Sequence, residues 1–254
     1  MKFAICRIIG NELPPRDQHG GKLKSLAYIL NHREPADLIW ILNHLHDSEY
    51  RERVIDELRR HKQNFHELRF DSKYYSRLKT FRERLCYAVN VNHARNVAVR
   101  MAWKHHEFAV CLDQDCFLTL DLWFQVIDFI QHDQSTCPGR RYYGLMMKRV
   151  MGFQDANPSR LCDQEPQLIF RRDAPCLFDS GLPFGEGEKA ALVHWLGFGP
   201  PPQFVLNGDL CRVAGSVLHL QAGSSVAEAD LRTRMWLRRL SVHRLLRKLN
   251  SECG

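Results

Sequence analysis

The sequence has no long apolar run. Its N-terminal hydrophobic stretch, residues 3–10, is interrupted by Arg7 and is shorter than a signal-peptide core or a membrane span. The sequence therefore predicts a cytoplasmic protein, with membrane association only through surface contacts.

Paired cysteines are also absent. The nine cysteines are an odd number, include no CxxC motif and are scattered from Cys6 to Cys253, in a chain long enough to need no disulfides. They are predicted to be reduced thiols that mostly fill the core. Cys111 and Cys116 lack the spacing of a zinc site.

Acidic residues are missing from one segment near the C-terminus. Residues 231–250 contain seven basic side chains and no acidic one, so the remaining sequence carries 29 of each sign. This distribution argues against a nucleic-acid-binding surface over the whole body and favours a local anionic partner, a membrane or another polyanion. The apolar residues of the segment cluster on one helical face, so packing against the domain or a second subunit is the alternative.

What is present is the composition of an ordinary globular protein, with 44% hydrophobic and 26% charged residues. Strand-like apolar runs alternate with helical patterns, which predicts an α/β fold with a mostly parallel central sheet flanked by helices. One domain is expected over residues 1–225, with halves at 1–120 and 121–225, followed by a basic helix at 226–254. The clearest predicted elements are strands at 3–9, 37–43 and 108–112, and a helix at 80–105 broken around 90–92.

Two aspartates directly follow the predicted strand at 108–112, in the tripeptide Asp113-Gln114-Asp115. Open α/β sheets bind their ligands at the carboxyl ends of strands. Carboxylates at such an edge can hold a hard cation whose other positions take substrate phosphates. The alternative is that one aspartate caps the next helix and the other is solvated.

The segment Asn92-His93-Ala94-Arg95-Asn96 ends 17 residues before Asp113. A helix with Ala-Arg-Asn, a short apolar strand and then Asp-x-Asp resembles the nucleotide-binding half of GT-A glycosyltransferases. The resemblance implies that Arg95 and Asn96 help to place a nucleotide-sugar donor, and that Asp113 and Asp115 hold Mn²⁺ or Mg²⁺. A surface ion pair is the alternative for Arg95.

His219 lies in the late apolar segment Ser216-Val-Leu-His-Leu220. The resemblance to GT-A enzymes implies that a histidine late in the domain sequence, here His219, completes the metal site with Asp113 and Asp115. A histidine on an apolar strand is otherwise a satisfied core residue.

The opening of the chain has a narrower resemblance. Arg7-Ile-Ile-Gly-Asn-Glu-Leu-Pro-Pro-Arg16, together with Glu165-Pro-Gln and Phe184-Gly-Glu-Gly-Glu-Lys189, resembles glycosyltransferase-like proteins of capsule and surface-polysaccharide loci. Members with this opening often carry Asp-Gly-Asn where this chain has Asp-Gln-Asp. The resemblance therefore implies fold and reaction type, and it places the chain in polysaccharide biosynthesis.

The loop after the first strand supplies further candidates for donor binding. Arg7, Asn11 and Arg16 lie in or beside it, and guanidinium groups can grip phosphate bidentately. Solvated arginines on a proline-stiffened loop are the alternative. Asp71, at a second strand end, can accept hydrogen bonds from a base or ribose, although a helix N-cap explains it equally well.

If the enzyme inverts the anomeric configuration, a general base is expected from the second half of the chain; a retaining mechanism needs no protein base. Glu186 and Glu188 stand in a glycine-spaced loop before a predicted helix, where the GT-A resemblance places an acidic residue facing the acceptor, and Glu165 is a third candidate. Glutamates also favour a helix N-terminus for electrostatic reasons alone.

The sequence thus predicts a metal-dependent glycosyltransferase that uses a nucleotide-sugar donor and an acceptor of unknown identity. A sugar nucleotidyltransferase is the nearest enzyme alternative, because residues 10–22 follow the first strand with glycines, prolines and basic side chains. A non-catalytic module that binds a polyanion or membrane through its tail is the alternative from another class. Specific recognition of nucleic acid is not expected.

Overall fold

One nine-stranded sheet, covered by eight helices, makes up the part of the chain that the structure describes. The structure is a computed structural model, and it describes residues 1–15, 17, 20–32, 34–151, 160–161, 166–184, 189–196, 210–221 and 231–253. The strands are β1 (Phe3–Ile9), β2 (Asp37–Asn43), β3 (Phe65–Leu68), β4 (Phe108–Leu112), β5 (Cys116–Phe117), β6 (Tyr142–Met151), β7 (Arg160–Leu161), β8 (Gln167–Arg171) and β9 (Leu210–Gln221). The helices are α1 (Gly21–Asn31), α2 (Ser48–Arg60), α3 (Ser72–Arg77), α4 (Phe81–Val89), α5 (Val91–Ala102), α6 (Leu120–Thr136), α7 (Ala190–Trp195) and α8 (Leu231–Cys253).

The first half of the sheet is parallel, in the order β3-β2-β1-β4. Helices cover both faces of the central strands, which are therefore mainly apolar, with Arg7 in β1 and Asn43 in β2 as buried polar exceptions, and every residue of β4 is buried. The predicted strands at 3–9, 37–43 and 108–112 are confirmed at those bounds. The carboxyl ends of the four strands share one edge of the sheet, and Asp113 lies there.

The second half makes the sheet mixed. β8 runs antiparallel to β4 and to β6, and β9 then pairs in parallel with β6 and antiparallel with β5. The predicted α/β fold is confirmed, but the sheet is less parallel than expected, because the chain after α6 returns in strands of both directions. β5 and β7, each two residues long, were not predicted.

A single residue separates the two helices that lead to β4. The expected break occurs at Asn90, whose φ of 40° places it in the left-handed region that asparagine tolerates. α4 starts with a capping box between Thr80 and Glu83. The change of direction lets α5 pack its alanine-rich face on the sheet, while α4 packs against α3 and α8.

The C-terminal helix α8 packs on the domain. Val242, Leu246 and Leu249 are buried in a cluster with side chains of α3 and α4. Near the C-terminal end of α8, the Tyr75 hydroxyl and the Arg84 guanidinium both donate to Oδ1 of Asn250 at 2.9 Å. The structure therefore confirms the packing alternative for the second half of the tail. Within the described residues, no helix is both long and apolar enough to cross a membrane.

The cysteines that the structure describes form no disulfide with one another. Cys6, Cys111 and Cys116 are fully enclosed in the sheet region. Burial raises the pKa of the Cys111 thiol to about 12, so this side chain is a neutral core residue at physiological pH.

His46 follows β2 and is held in a neutral state. Its ring packs edge-on against Phe70 with centroids 5.1 Å apart, and neither ring nitrogen has a hydrogen-bond partner among the described residues. Burial, with smaller contributions from His44 and from Lys248 of α8, lowers the pKa of His46 from 6.5 to about 4, against the opposing charge of Asp47.

This shift predicts acid sensitivity of the fold. As the pH falls through 6.5, His46 is protonated in the unfolded chain but not in the folded protein until about pH 4, so stability is lost across that window. The loss for one proton is at most about 1.4 kcal/mol per pH unit. In urea titrations between pH 7 and pH 4.5, His46→Gln should flatten this dependence, whereas the exposed-histidine control His66→Gln should not. Parallel pH profiles for the wild type and His46→Gln would contradict the assignment.

Candidate functional site

Asp113 is the centre of a polar cluster at the carboxyl edge of the parallel strands. Its Oδ1 accepts a hydrogen bond from Arg95 Nη2 at 2.9 Å. Its Oδ2 accepts from Gln167 Nε2 and from Lys189 Nζ, both at 2.9 Å. The carboxylate therefore joins β4 to α5, to β8 and to the residue that precedes α7.

Two cations decide the ionisation state of this carboxylate. Burial alone raises the pKa of Asp113, but the charges of Lys189 and Arg95 and the amide of Gln167 outweigh it and hold the pKa well below its usual value. The side chains of Arg95 and Lys189 are only 9% and 8% exposed, against 31% for Asp113. The cluster is thus a fixed anion between two nearly buried cations, open to solvent on the side of the aspartate.

Arg95 reaches this position because α5 packs closely on the sheet. Its Nη1 donates to Asn92 Oδ1 one turn earlier at 3.0 Å, and its guanidinium lies over the Phe178 ring at 5.2 Å. The surface ion pair considered as an alternative is therefore excluded: Arg95 is buried, and it pairs with the predicted site residue Asp113.

Gln167 and Lys189 were not predicted as site residues. Gln167 is the first residue of β8, and its side-chain oxygen also accepts from the Asp113 backbone N–H at 3.0 Å. The amide of Gln167 therefore binds both the backbone and the carboxylate of Asp113. Lys189 is a buried lysine directly before an apolar helix. The sequence contains one indication that Lys189 is buried, namely its position at the start of an apolar stretch. Nothing in the neighbouring sequence identifies Asp113 as its partner.

Asp115 and His219 form a second polar pair next to this cluster. The short strand β5 pairs antiparallel with β9 so that Cys116 lies opposite His219. This register brings His219 Nε2 to 3.1 Å from Asp115 Oδ2, with the aspartate 44% exposed and the histidine 19%. The structure therefore brings together two of the three predicted metal ligands.

The donor set of this pair suits a divalent cation in part. A carboxylate oxygen and an imidazole nitrogen are both ligands of Mn²⁺ and related ions, and two protein ligands leave positions for phosphate oxygens and water. Asp113, the third predicted ligand, is instead occupied by Arg95, Lys189 and Gln167. Within the described residues, no group of three or more His, Cys, Asp or Glu side chains is arranged to hold a metal ion.

Arg7 differs most from its predicted role as a phosphate ligand. Its side chain is fully buried, and its guanidinium forms two hydrogen bonds with the carboxylate of Glu34, the Nε bond being 2.7 Å long. Nη1 also donates to the Asp113 carbonyl oxygen at 3.3 Å. Contact with a phosphate would require Arg7 to leave Glu34, so its observed role is to support the backbone of the site.

The two predicted asparagines bridge protein segments. The Asn11 amide donates to the His44 carbonyl at 2.7 Å and accepts from the His46 N–H, which ties the end of β1 to the end of β2. The Asn96 amide donates to the Phe178 carbonyl at 2.7 Å and accepts from the N–H of the same residue at 3.0 Å. Their predicted contacts with a nucleotide remain predictions beside these structural roles.

Asp71 is the N-cap of α3, where its carboxylate accepts from the Tyr74 N–H at 3.0 Å. The capping alternative is therefore the arrangement observed. Four other predicted residues lie outside the described residues: Arg16, Glu165, Glu186 and Glu188.

The two aspartates should differ in their effect on stability. Asp113→Asn leaves two nearly buried cations without their counter-charge and is expected to cost about 2 kcal/mol or more of unfolding free energy. Asp115→Asn changes an exposed side chain and should stay within about 0.5 kcal/mol of the wild type. Urea unfolding at pH 7.5 without added metal measures both variants, each serving as the control for the other. Equal destabilisation by the two substitutions would show that Asp113 is not the anchor of the cluster.

Comparison with known proteins agrees with the fold. No protein family matches the sequence, and no curated protein matches it either. Among solved structures, GalNAc-T7 in complex with UDP, GalNAc and Mn²⁺ matches 87% of this chain with a TM-score of 0.51 and 11% identity, and the match spans 43% of that protein.

Two further solved structures match over nearly their whole length with lower scores. They are 4-diphosphocytidyl-2C-methyl-D-erythritol synthase from Anaerococcus prevotii DSM 20548 (TM-score 0.37, 10% identity, 94% of this chain and 97% of that one) and a nucleotide-diphospho-sugar transferase from Desulfovibrio desulfuricans G20 (TM-score 0.38, 13% identity, 96% and 98%). The chain has a GT-A-like α/β fold.

Proposed function

We propose that this protein is a metal-dependent glycosyltransferase that moves a sugar from a nucleotide-sugar donor to an acceptor. The observation that carries the proposal is the pairing of Asp115 with His219 at 3.1 Å, beside an Asp113 fixed by two cations, at the carboxyl edge of the parallel strands. Open α/β sheets bind ligands at this edge. The fold likeness to GalNAc-T7, solved with UDP, GalNAc and Mn²⁺, supports the same choice of donor and metal.

Asp113 is suited to orient the donor. An ionised carboxylate has about four acceptor sites, and three are used by Arg95, Lys189 and Gln167. The side chain is 31% exposed, and we propose that the remaining acceptor site takes a hydroxyl such as that of a ribose. Because the carboxylate is held from three directions, it loses little freedom on binding.

Asp115 and His219 are the proposed protein ligands of the divalent ion. When bound, such an ion neutralises the negative charge of the departing nucleoside diphosphate. The neighbouring Lys189 and Arg95 add positive charge to the same region, although both are already paired with Asp113.

The proposed general base remains one of Glu186, Glu188 and Glu165. Lys189, which follows Glu188 in the sequence, contacts Asp113. A glutamate there would take the proton of the acceptor hydroxyl as it attacks the sugar.

The reaction is proposed to belong to polysaccharide biosynthesis, with an acceptor of unknown identity. This part rests on the resemblance of the opening, residues 7–16, to proteins of capsule and surface-polysaccharide loci. A sugar nucleotidyltransferase, the alternative on this fold, would join a nucleoside triphosphate and a sugar phosphate to form a nucleotide sugar and release pyrophosphate. The two reactions therefore differ in their products.

Donor hydrolysis tests the proposal directly. The purified protein should slowly release nucleoside diphosphate from at least one of a panel of UDP-, GDP- and CDP-sugars in Mn²⁺, and chelation with EDTA should stop it. Asp115→Asn and His219→Gln should each lower the Mn²⁺ affinity by at least about 10–100-fold, which is the cost of losing an outer-shell partner of a metal. The thermal shift that UDP causes in the presence of Mn²⁺ should shrink accordingly.

The matched control is Asp121→Asn, which removes an exposed aspartate in the first turn of α6 and should leave hydrolysis and thermal shift unchanged. Release of pyrophosphate from a nucleoside triphosphate and a sugar phosphate, without donor hydrolysis, would favour the nucleotidyltransferase. Metal-independent hydrolysis that survives both site substitutions would reject the proposed metal ligands.

A further inference from the structure

Two basic segments from opposite ends of the chain lie side by side in the structure. Residues 72–84, which form α3 and the start of α4, carry five basic and one acidic side chain, and residues 231–250 of α8 carry seven basic and no acidic one. Together they hold twelve of the 36 basic residues and one of the 29 acidic residues, so the rest of the protein has more acidic than basic residues. The positive charge of the molecule is therefore concentrated on one side.

The packing of α8 creates this side. Its buried residues contact α3 and α4, and Asn250 accepts hydrogen bonds from Tyr75 and Arg84. At the other end of the contact, the His243 ring packs at a tilt against Phe81, with centroids 5.1 Å apart. The two segments thus form one continuous surface, named here the basic face: residues 72–84 with the exposed side of α8.

The exposed side of α8 has a regular pattern. Residues 232, 236, 239, 243 and 247 are spaced at three or four positions, so they lie along one stripe of the helix, and all five are exposed. Arginine occupies positions 232, 239 and 247, and tryptophan occupies position 236. The stripe therefore alternates cationic side chains with large rings.

The apolar residues of the basic face are unusually exposed. Trp236 is 60% exposed, Met235 42%, Phe81 51% and Tyr74 49%. They lie among exposed cations of both segments, namely Lys73, Arg77, Lys79, Arg232, Arg239, Arg244 and Arg247. Exposed apolar side chains on a strongly cationic surface favour an interaction site over ordinary surface.

We infer that the basic face binds the surface of an anionic lipid bilayer. Cationic side chains meet anionic headgroups, while tryptophan, phenylalanine and methionine enter the boundary between headgroups and acyl chains. Tryptophan and tyrosine favour that boundary because one part of the ring system is apolar and another is polar. The outer side of a helix is convex, which suits a flat membrane better than a nucleic-acid strand that must be held in a groove.

Co-sedimentation with vesicles tests this inference on the full chain. The protein should bind vesicles of phosphatidylcholine mixed with phosphatidylserine at low ionic strength, bind phosphatidylcholine alone weakly, and lose binding as salt is added. The combined variant Arg232→Gln, Arg239→Gln, Arg244→Gln and Arg247→Gln should bind the mixed vesicles at least about tenfold more weakly. All four side chains are exposed, so the variant should fold, and thermal melts serve as the control for folding.

The matched control removes four exposed cations from other parts of the protein, with Arg53→Gln, Arg59→Gln, Arg100→Gln and Lys104→Gln. It has the same net charge as the first variant and should keep most of the binding.

Insertion of Trp236 into the bilayer is tested with brominated lipids. These lipids should quench part of the tryptophan emission of the wild type, and the quenched part should be missing in Trp236→Phe.

Three results would overturn the membrane assignment. One is that the protein ignores mixed vesicles at low ionic strength, and another is that both combined variants lose binding to the same extent. The third is that the basic face binds single-stranded oligonucleotides in a salt-sensitive manner while vesicles are not bound, which would assign it to nucleic acid instead.

Discussion

The ion cluster around Asp113 is the interaction on which the rest of the site depends. Charged side chains are rarely buried without a partner because desolvation of an unpaired charge is costly. Arg95 and Lys189 are both nearly buried, and each makes an ion pair with this one carboxylate. The aspartate therefore permits α5 and the start of α7 to approach the end of β4, and Gln167 adds the edge of β8. Four elements from distant parts of the sequence meet at one side chain.

The parallel half of the fold was predictable from local sequence. Strands that are covered on both faces are mainly apolar, and the runs at 3–9, 37–43 and 108–112 have this composition apart from Arg7, Asp37 and Asn43. The interruption of the long helix was also predictable, since Asn90 is among the few residue types that adopt a positive φ readily. The mixed second half was harder to predict because strand direction depends on connections rather than on composition.

The site was predicted in part, and the missing part is the set of partners. Asp113 and Asp115 follow from their position after an apolar strand, and Arg95 and His219 follow from the resemblance to GT-A enzymes. The structure brings all four to one edge of the sheet. The sequence predicts a phosphate contact for Arg7 because it lies beside the loop after the first strand. In the structure Arg7 is part of β1, and its partner Glu34 lies beyond α1 and has no local signature. Lys189 and Gln167 were missed for the same reason. Residue type and position indicate that a side chain is polar and enclosed, but only the tertiary fold shows what it contacts.

The pairing of β9 has a consequence for how the protein folds. Asp115 and His219 are more than a hundred residues apart in sequence, and they meet only because β9 is aligned with both β5 and β6, including a register shift between Gly144 and Met146. In a strand, a slip of one residue turns every side chain to the opposite face. A chain with β9 misaligned by one position would keep most of its hydrogen bonds and its apolar content, yet His219 would point away from Asp115. Contacts of such long sequence separation form late and slowly. The metal affinity proposed for this pair would therefore appear only after the last strand has found its register, and its appearance would distinguish the native sheet from a compact misfolded one.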